Sequence, residues 1–276
     1  MRIVRDVAAV RAAVNGAGRV GLVPTMGAFH EGHLSLIRAA RESCDLVVVW
    51  LFVNPTQFNE ASDLVNYPRD EERDAALAAG CGTDVLFAPP VEEVYPAGFA
   101  TTVTVSGIAD VLEGAHRPGH FAGVATVVAK MLNMVGPDVA FFGAKDAQQV
   151  AVVRRMVADL NIPVTIEVLP IVREPDGLAM SSRNVRLDAE DRRRALALHR
   201  GLTAARDASA AGQRDASSLA GIIQDELATE SLTAEYIAVL DPDTFAPVAT
   251  VEQPTLIALA VRVGPVRLID NMEVMP

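Results

Sequence analysis

Two histidines three residues apart, His30 and His33, follow an apolar run in the stretch VPTMGAFHEGHLSLIRAA, residues 23–40. Three kinds of site use such a pair: a metal centre, a packed core, or a cradle for phosphate. Zinc sites of the HExxH type need histidines four apart, with a glutamate beside the first. Here the spacing is three and Gly32 interrupts the turn. The metal interpretation is therefore the weakest, whereas core packing and phosphate binding both stay open on this stretch alone.

The position of the pair favours phosphate binding. The run RVGLVPT (19–25) predicts a first strand, and HLSLIRAA opens the next helix. Ligands of open parallel sheets bind where strands end and the strand order reverses, and helix N-termini attract anions. The turn contains neither a G-x-G-x-x-G sequence nor a Walker A sequence. The H-x-G-H pattern is instead typical of Rossmann-like nucleotidyltransferases, whose chemistry takes place at the α-phosphate of a nucleotide.

Amide side chains follow the second predicted strand, in FVNPTQF (52–58). Asn54 and Gln57 can each donate and accept hydrogen bonds, which suits the hydroxyl groups of a small substrate. The alternative is an Asn-Pro turn that leaves Gln57 facing solvent.

Lysine usage singles out Lys145, in FFGAKDAQQ (141–149). The chain has two lysines, Lys130 and Lys145, and twenty-two arginines. A lysine at a strand end indicates a need for a compact ammonium group that holds phosphate oxygens. Asp146 could accept from ribose hydroxyls, and Gln149 lies one turn further on. The alternative is a surface lysine without a function.

Two further polar stretches contain candidate donors. In HRPGHFAG (116–123), Arg117 is a candidate anion contact and His120 could cap the helix that follows. In AMSSRN (179–184), Ser181, Ser182 and Arg183 form a donor cluster. A buried turn and a hydrophilic linker, respectively, are the alternatives.

Alternating β-rich and helical runs must position these residues. Strand candidates are RVGLVPT (19–25), DLVVVWLFV (45–53), DVLFAPP (84–90), TTVTV (101–105), DVAFFG (138–143) and VTIEVLP (164–170). Helical patterns lie between most of them, which predicts a Rossmann-like, doubly wound parallel sheet of α/β class over residues 1–171. Two helical patterns and then three strand patterns predict a smaller α+β C-terminal domain over residues 172–276.

Composition narrows the class of protein. The formal net charge of −11 argues against nucleic acid or an anionic membrane as a partner. Half of the residues are hydrophobic, which is typical of a compact fold. Two cysteines form no redox or metal motif, and no run is apolar enough for an anchor or signal peptide. We therefore expect a cytoplasmic protein.

Acidic residues cluster after YPR, at Asp70, Glu72 and Asp74. They could bind Mg²⁺, but a solvated helix face is the interpretation that the pattern favours.

Taken together, PTMGAFHEGH, FVNPTQF, RPGHFAGVATVVAKMLNM with FFGAKDAQQ, and MSSRN resemble the pantoate–β-alanine ligase family over essentially the whole chain. The resemblance implies ATP-dependent condensation of pantoate with β-alanine to pantothenate through a pantoyl-adenylate, with release of AMP and pyrophosphate. Implied cofactors and partners are ATP as a substrate, Mg²⁺ held mainly by the ATP phosphates, pantoate, β-alanine and a second copy of the chain in a homodimer.

The resemblance also implies roles for individual residues. The implied catalytic residues are His30, His33, Lys145, Ser181, Ser182 and Arg183. Those implied to surround ATP are Met26, Gly143, Asp146, Val172 and Met180. Met26 would also lie near the pantoate carboxylate. Those implied to bind the substrate pantoate, or to lie near it, are Gln57, Gln149, Asn54, Tyr67 and Arg117. The C-terminal domain is expected to close as a lid.

Departures from the family pattern are small. Phe29 replaces a smaller aliphatic residue, Ala144 an acidic residue and Ala147 an aromatic one, so they concern packing. Two alternatives remain at this stage: another H-x-G-H nucleotidyltransferase that transfers a cytidylyl or adenylyl group, and a silent nucleotide-binding protein. The products formed from ATP would distinguish them.

Overall fold

The computed structural model describes residues 1–59 and 64–276, which divide into two compact units. The N-terminal unit comprises Met1–Ala144 and Gln148–Pro170, and the C-terminal unit comprises Lys145–Ala147 and Ile171–Pro276. Lys145 and Asp146 therefore belong to the C-terminal unit, although they directly follow a strand of the N-terminal one.

The N-terminal unit contains a six-stranded sheet in which every pairing is parallel. Its strands are β1 (Arg2–Val4), β2 (Val20–Thr25), β3 (Leu46–Leu51), β4 (Val85–Phe87), β5 (Val139–Gly143) and β6 (Thr165–Leu169). Their order is β1-β4-β3-β2-β5-β6. The chain winds outward from β2 through β3 to β4, and then crosses back to β5. The order thus reverses between β2 and β5, as a doubly wound sheet requires.

Helices connect the strands of this unit. They are α1 (Val7–Val14), α2 (Glu31–Ser43), α3 (Glu71–Gly80), α4 (Val91–Val94), α5 (Glu113–His116), α6 (His120–Val135) and α7 (Ala147–Asp159), whose first residue belongs to the other unit. Helix α6 is largely apolar, and its side chains are buried on nearly every face. The four inner strands β2, β3, β4 and β5 are also largely buried, as in sheets covered on both faces, whereas the edge strands β1 and β6 are more exposed.

Two details of the predicted strand pattern were wrong. Strand β1, which the sequence did not predict, precedes β2, so RVGLVPT is the second strand. Its three residues are too few for a periodic signal to appear. The TTVTV segment (101–105) forms no strand. The amide of Val103 donates to Thr126 Oγ1 on helix α6 at 2.9 Å, so a helix side chain takes the place of a neighbouring strand.

The C-terminal unit is α+β, as predicted. Helices α8 (Ala189–Ala210) and α9 (Ala216–Thr229) precede an antiparallel sheet in the order β7-β8-β9. Its strands are β7 (Ala234–Leu240), β8 (Thr255–Val263) and β9 (Val266–Val274). Leu198, Leu219 and Ile257 lie in one buried cluster, so the helices and the sheet share a core.

Candidate active site

The histidine pair lies where β2 ends and α2 begins, at the point where the strand order reverses. His30 is the N-cap of α2, and its Nδ1 accepts from the amide of Gly32 at 3.2 Å. The amide of His30 donates in turn to His33 Nδ1 at 3.4 Å. The ring centroids are 4.2 Å apart. The two imidazoles therefore serve as reciprocal caps of one helix.

This arrangement determines which ring nitrogen donates. In neutral imidazole one nitrogen accepts and the other carries the proton. Because both Nδ1 atoms accept from backbone amides, the proton of each ring belongs on Nε2. The helix N-terminus thus presents two N–H donors in addition to its positive dipole end, a combination that suits an anion.

Gln57 is held in place by a network of hydrogen bonds. Its Oε1 accepts from Asn54 Nδ2 at 3.0 Å, and its Nε2 lies 3.0 Å from Met26 Sδ. Asn54 Oδ1 accepts from Tyr95 Oη at 2.8 Å and from Thr56 Oγ1 at 2.9 Å. Gln57 is therefore fixed against the loop after β2, and the structure brings the predicted residues Met26, Asn54 and Gln57 together.

Asn54 itself is buried beneath the side chain of Gln57. It is 1% exposed, and its amide also donates to the carbonyl of Gly123 on α6 at 3.2 Å. A Cβ at Gly123 would lie 2.5 Å from the carbonyl oxygen of Thr56, so helix and turn are in backbone contact. Such burial suits a residue that orients Gln57 better than one that contacts a ligand.

Arg117 and His120 support the same turn from a second side. His120 Nδ1 lies 2.8 Å from the carbonyl oxygen of Gln57, and Arg117 donates to that oxygen at 3.2 Å. His120 is buried and is the first residue of α6, whose N-cap is Gly119. For His120, the structure therefore agrees with the alternative interpretation of HRPGHFAG, a buried turn.

The other predicted residues of the N-terminal unit lie as follows. Tyr67 is buried, with its ring edge-on to Phe58 at 5.6 Å between centroids. Gly143 ends β5, and Gln149 is half-buried on α7. Met26 lines a cavity of about 630 Å³ together with Phe52 and Pro55, a volume within the usual range for small-molecule sites.

In the C-terminal unit, Lys145 and Asp146 are neighbours whose charged groups lie 3.6 Å apart. The Lys145 side chain is mostly buried, and its backbone carbonyl accepts from Asn271 Nδ2, on β9, at 2.9 Å. A mostly buried lysine is unusual because its charge loses hydration. This placement does not fit the alternative of an exposed surface lysine.

A short hairpin brings Val172 and Met180 together. The amide of Met180 donates to the carbonyl of Val172 at 3.0 Å, and Arg173 pairs with Ala179. Ser181 and Arg183 directly follow; the amide of Arg183 donates to Ser181 Oγ at 3.3 Å. Asn184 closes the turn, since its side chain donates to the carbonyl of Ala179. The polar stretch is thus an ordered turn and not a structureless linker.

The residues that hold this hairpin could not be predicted from the sequence. Arg173 makes two hydrogen bonds to Asp270, at 2.7 and 3.0 Å, and the side chain of Asp270 is 3% exposed. Gly177, with φ of +98°, packs against the His199 ring, and a Cβ there would lie 2.5 Å from Cδ2. These residues are about twenty to a hundred positions apart, so no local pattern could have indicated them.

His199 should make the stability of the C-terminal unit depend on pH. Burial, and then the charge of Arg173, lower the pKa of His199 from 6.5, while Asp270 opposes them and Arg206 adds to them. At pH values just below 6.5, His199 therefore binds fewer protons in the folded state than in the unfolded state. We expect the contribution of His199 to the free energy of unfolding to be fully present above about pH 7. It should be lost as the pH drops below the unfolded-state pKa.

Denaturant unfolding at several pH values between about 5.5 and 8 tests this expectation. Wild type should lose more stability toward acid pH than His199→Gln, which cannot take up the proton. Identical pH slopes for the two proteins would contradict it.

The acidic cluster after YPR is not a solvated helix face throughout. Asp70 is the N-cap of α3 and Glu72 is exposed, but Asp74 is 1% exposed. Its Oδ2 and Oδ1 accept from the amides of Ala28 and Phe29 at 2.7 and 2.8 Å. That part of the interpretation was wrong, because residue 74 falls on the core-facing side of α3.

Comparisons with known proteins show which family the chain belongs to. The family model for pantoate–β-alanine ligase matches residues 2–273. The chain belongs to the pantoate–β-alanine ligase family. Pantothenate synthetase from Cereibacter sphaeroides is 55% identical over 99% of both chains. The one from Moorella thermoacetica is 52% identical over 99% of this chain and 98% of its own.

Solved structures of pantoate–β-alanine ligases show the same fold. Pantothenate synthetase from Thermus thermophilus is 47% identical and covers all of both chains with a TM-score of 0.96. The Francisella tularensis ligase, complexed with β-γ ATP and β-alanine, is 36% identical, with coverage of 99% and 97% and a TM-score of 0.83.

Membership of the ligase family confirms three of the sequence predictions: the family, the α/β class, and ATP-dependent ligation of pantoate and β-alanine in pantothenate biosynthesis. Within residues 1–59 and 64–276, no helix has the length and apolar composition needed to span a membrane. Over those same ranges, no group of three or more histidine, cysteine and acidic side chains is arranged to hold a metal ion.

Proposed function

We propose that the ligation proceeds through a pantoyl-adenylate. A carboxylate is a poor electrophile toward an amine, so it must first gain a better leaving group. An oxygen of the pantoate carboxylate attacks the α-phosphorus of ATP, and the bond to pyrophosphate breaks. The amine of β-alanine then attacks the acyl carbon, AMP leaves, and the amine loses its proton.

The observation that carries this proposal is the pair of imidazoles at the N-terminus of α2, whose Nδ1 atoms both accept from backbone amides. In-line phosphoryl chemistry asks a protein mainly for positioning and charge stabilisation. His30 and His33 would donate to the phosphate oxygens as charge develops at the α-phosphorus. Both donors are fixed in advance by the caps on Nδ1, so little reorganisation is needed during the reaction.

Other residues take the roles that their chemistry suits. Lys145, Ser181, Ser182 and Arg183 would bind the remaining phosphate oxygens, and Asp146 would accept from the ribose. Gly143, Val172 and Met180 would surround adenine; the pairing of Val172 with Met180 in one hairpin supports a shared role. Mg²⁺, carried by the phosphates of ATP, would neutralise their charge.

Gln57 and Gln149 would bind the pantoate hydroxyls, with Met26 near its carboxylate. Asn54, Tyr67 and Arg117 would act mainly by holding the turn that contains Gln57, since Asn54 and Tyr67 are buried and Arg117 donates to the backbone of Gln57. The C-terminal unit would act as a lid that shields the adenylate from water. The protein would act as a homodimer in the cytoplasm.

Product analysis tests the adenylate. The purified protein is mixed with ATP, Mg²⁺ and pantoate, with and without β-alanine, and the products are followed by mass spectrometry. We expect pyrophosphate and pantoyl-adenylate without β-alanine, and AMP with pantothenate when it is added. ADP and phosphate as products, or no pyrophosphate until β-alanine is present, would contradict the adenylate route.

Gln57→Ala should raise the KM for pantoate. The loss of one hydrogen bond to a substrate hydroxyl, worth about 1 kcal/mol, corresponds to a roughly 5-fold increase in KM, with a smaller change in kcat. Steady-state kinetics at saturating ATP and β-alanine measure it, with the exposed Gln253→Ala as the matched control. An unchanged KM would leave Gln57 with a structural role only.

A further inference from the structure

We propose that Asp74 is a positioning residue for the histidine pair, which it sets in place through the backbone of the loop after β2. The inference rests on the proposed role of His30 and His33 as phosphate donors. It adds a residue 41 positions beyond His33, at the border of the cavity that Met26 lines, whose two carboxylate oxygens accept from backbone amides of this loop.

The loop between β2 and α2 has an unusual backbone. Gly27 has φ of +90° and Ala28 has φ of +53°, two successive residues in the region that favours glycine. Left-handed backbone at a non-glycine residue is maintained only where surrounding contacts determine it. His30 follows two residues later and caps α2. The direction in which both imidazoles point therefore depends on what holds this loop.

Asp74 supplies that contact. Its carboxylate, 1% exposed on α3, accepts from the amides of Ala28 and Phe29, one oxygen to each. Successive amides that converge on one anion form a preorganised binding concavity, here filled by a side chain of the same protein. A buried carboxylate is costly unless its lone pairs are satisfied. The fit is close, since a Cβ at Gly27 would lie 3.0 Å from Oδ2.

A second contact from α3 reaches the same loop. Arg73 Nη2 donates to the carbonyl of Phe29 at 3.3 Å, and its Nη1 lies 3.7 Å from Asp74 Oδ1. Phe29 is buried, with its ring 5.5 Å from that of His33. Both peptide groups that flank residue 29 are thus anchored to α3, directly before the N-cap histidine.

Asp74→Asn tests the proposal with almost no change in shape. The amide can accept from one of the two backbone N–H groups but turns its own NH₂ toward the other. We expect kcat to fall about 10- to 100-fold, as for a small misplacement of catalytic groups, while the KM for β-alanine changes little. Glu72→Gln, the same chemical change at an exposed position of α3, should leave kcat as in wild type.

A readout without turnover distinguishes positioning from a general loss of stability. The chain has five histidines, so two-bond ¹H–¹⁵N spectra of the imidazoles can be assigned with single variants. In Asp74→Asn the Nδ1 and Nε2 signals of His30 and His33 should shift, whereas those of His116 and His199 should not. Wild-type kcat together with unchanged His30 and His33 signals would overturn the proposal.

If Asp74→Asn does not fold, Arg73→Ala decides, because Arg73 is exposed and contacts the same loop. A lower kcat with shifted His30 and His33 signals supports the proposal, and wild-type values of both overturn it. His33→Ala separates the two levels of inference. Full activity in that variant would contradict the proposed function, whereas a loss there with none in the folded Asp74→Asn would contradict only the positioning role.

Discussion

Lys145→Ala and His33→Ala are each expected to lower kcat by about 100- to 1,000-fold, the usual effect of removing one preorganised donor from a developing oxyanion. Each substitution removes a hydrogen-bond donor that we propose for the phosphate oxygens of ATP. Steady-state and single-turnover kinetics at saturating substrates measure the loss. Circular dichroism and thermal unfolding should show that the variants remain folded.

Matched controls come from the chain itself. Lys130, the other lysine, lies over the ring of Phe99 at 4.5 Å, and His116 is exposed. Lys130→Ala and His116→Ala remove the same groups and should leave kcat within about 2- to 3-fold of wild type, as for surface substitutions without a catalytic part. Wild-type turnover in Lys145→Ala or His33→Ala would remove that residue from the mechanism.

Asp270→Ala is expected to lower the free energy of unfolding by about 3–5 kcal/mol, because it leaves the guanidinium of Arg173 buried without its partner. Both side chains are largely buried, at 18% and 3% exposure, and the pair makes two short hydrogen bonds. Denaturant unfolding measures the change.

An exposed ion pair provides the comparison. Asp207 pairs with Arg206 at 2.8 Å, but both side chains are about half exposed. Asp207→Ala should therefore cost less than about 1 kcal/mol. If Asp270→Ala costs no more than Asp207→Ala, the Arg173–Asp270 pair does not hold the hairpin of Val172 and Met180.

Local patterns predicted much of this protein. Most strands and helices of the sheet could be predicted, because long apolar runs and helical periodicity are local properties of a sequence. The histidine pair and Lys145 could be proposed as site residues, since they follow predicted strands and the carboxyl ends of parallel strands share one edge of a sheet. Strand β1 was missed because three residues give no period. The TTVTV segment was wrongly predicted as a strand because β-rich composition does not supply a partner strand.

Residue type and spacing predicted the fold class and a set of candidate catalytic residues, and the resemblance of several motifs identified the family. Only the tertiary structure decided how those residues are held: Asp74 reaches a loop more than forty positions away, Asn54 lies beneath Gln57, and Asp270 on β9 fixes the hairpin through Arg173. The physical reason is that hydrogen bonds between distant residues leave no periodic signal. A buried carboxylate and a solvated one have the same letter in a sequence, and only the packed chain shows which amides it accepts from.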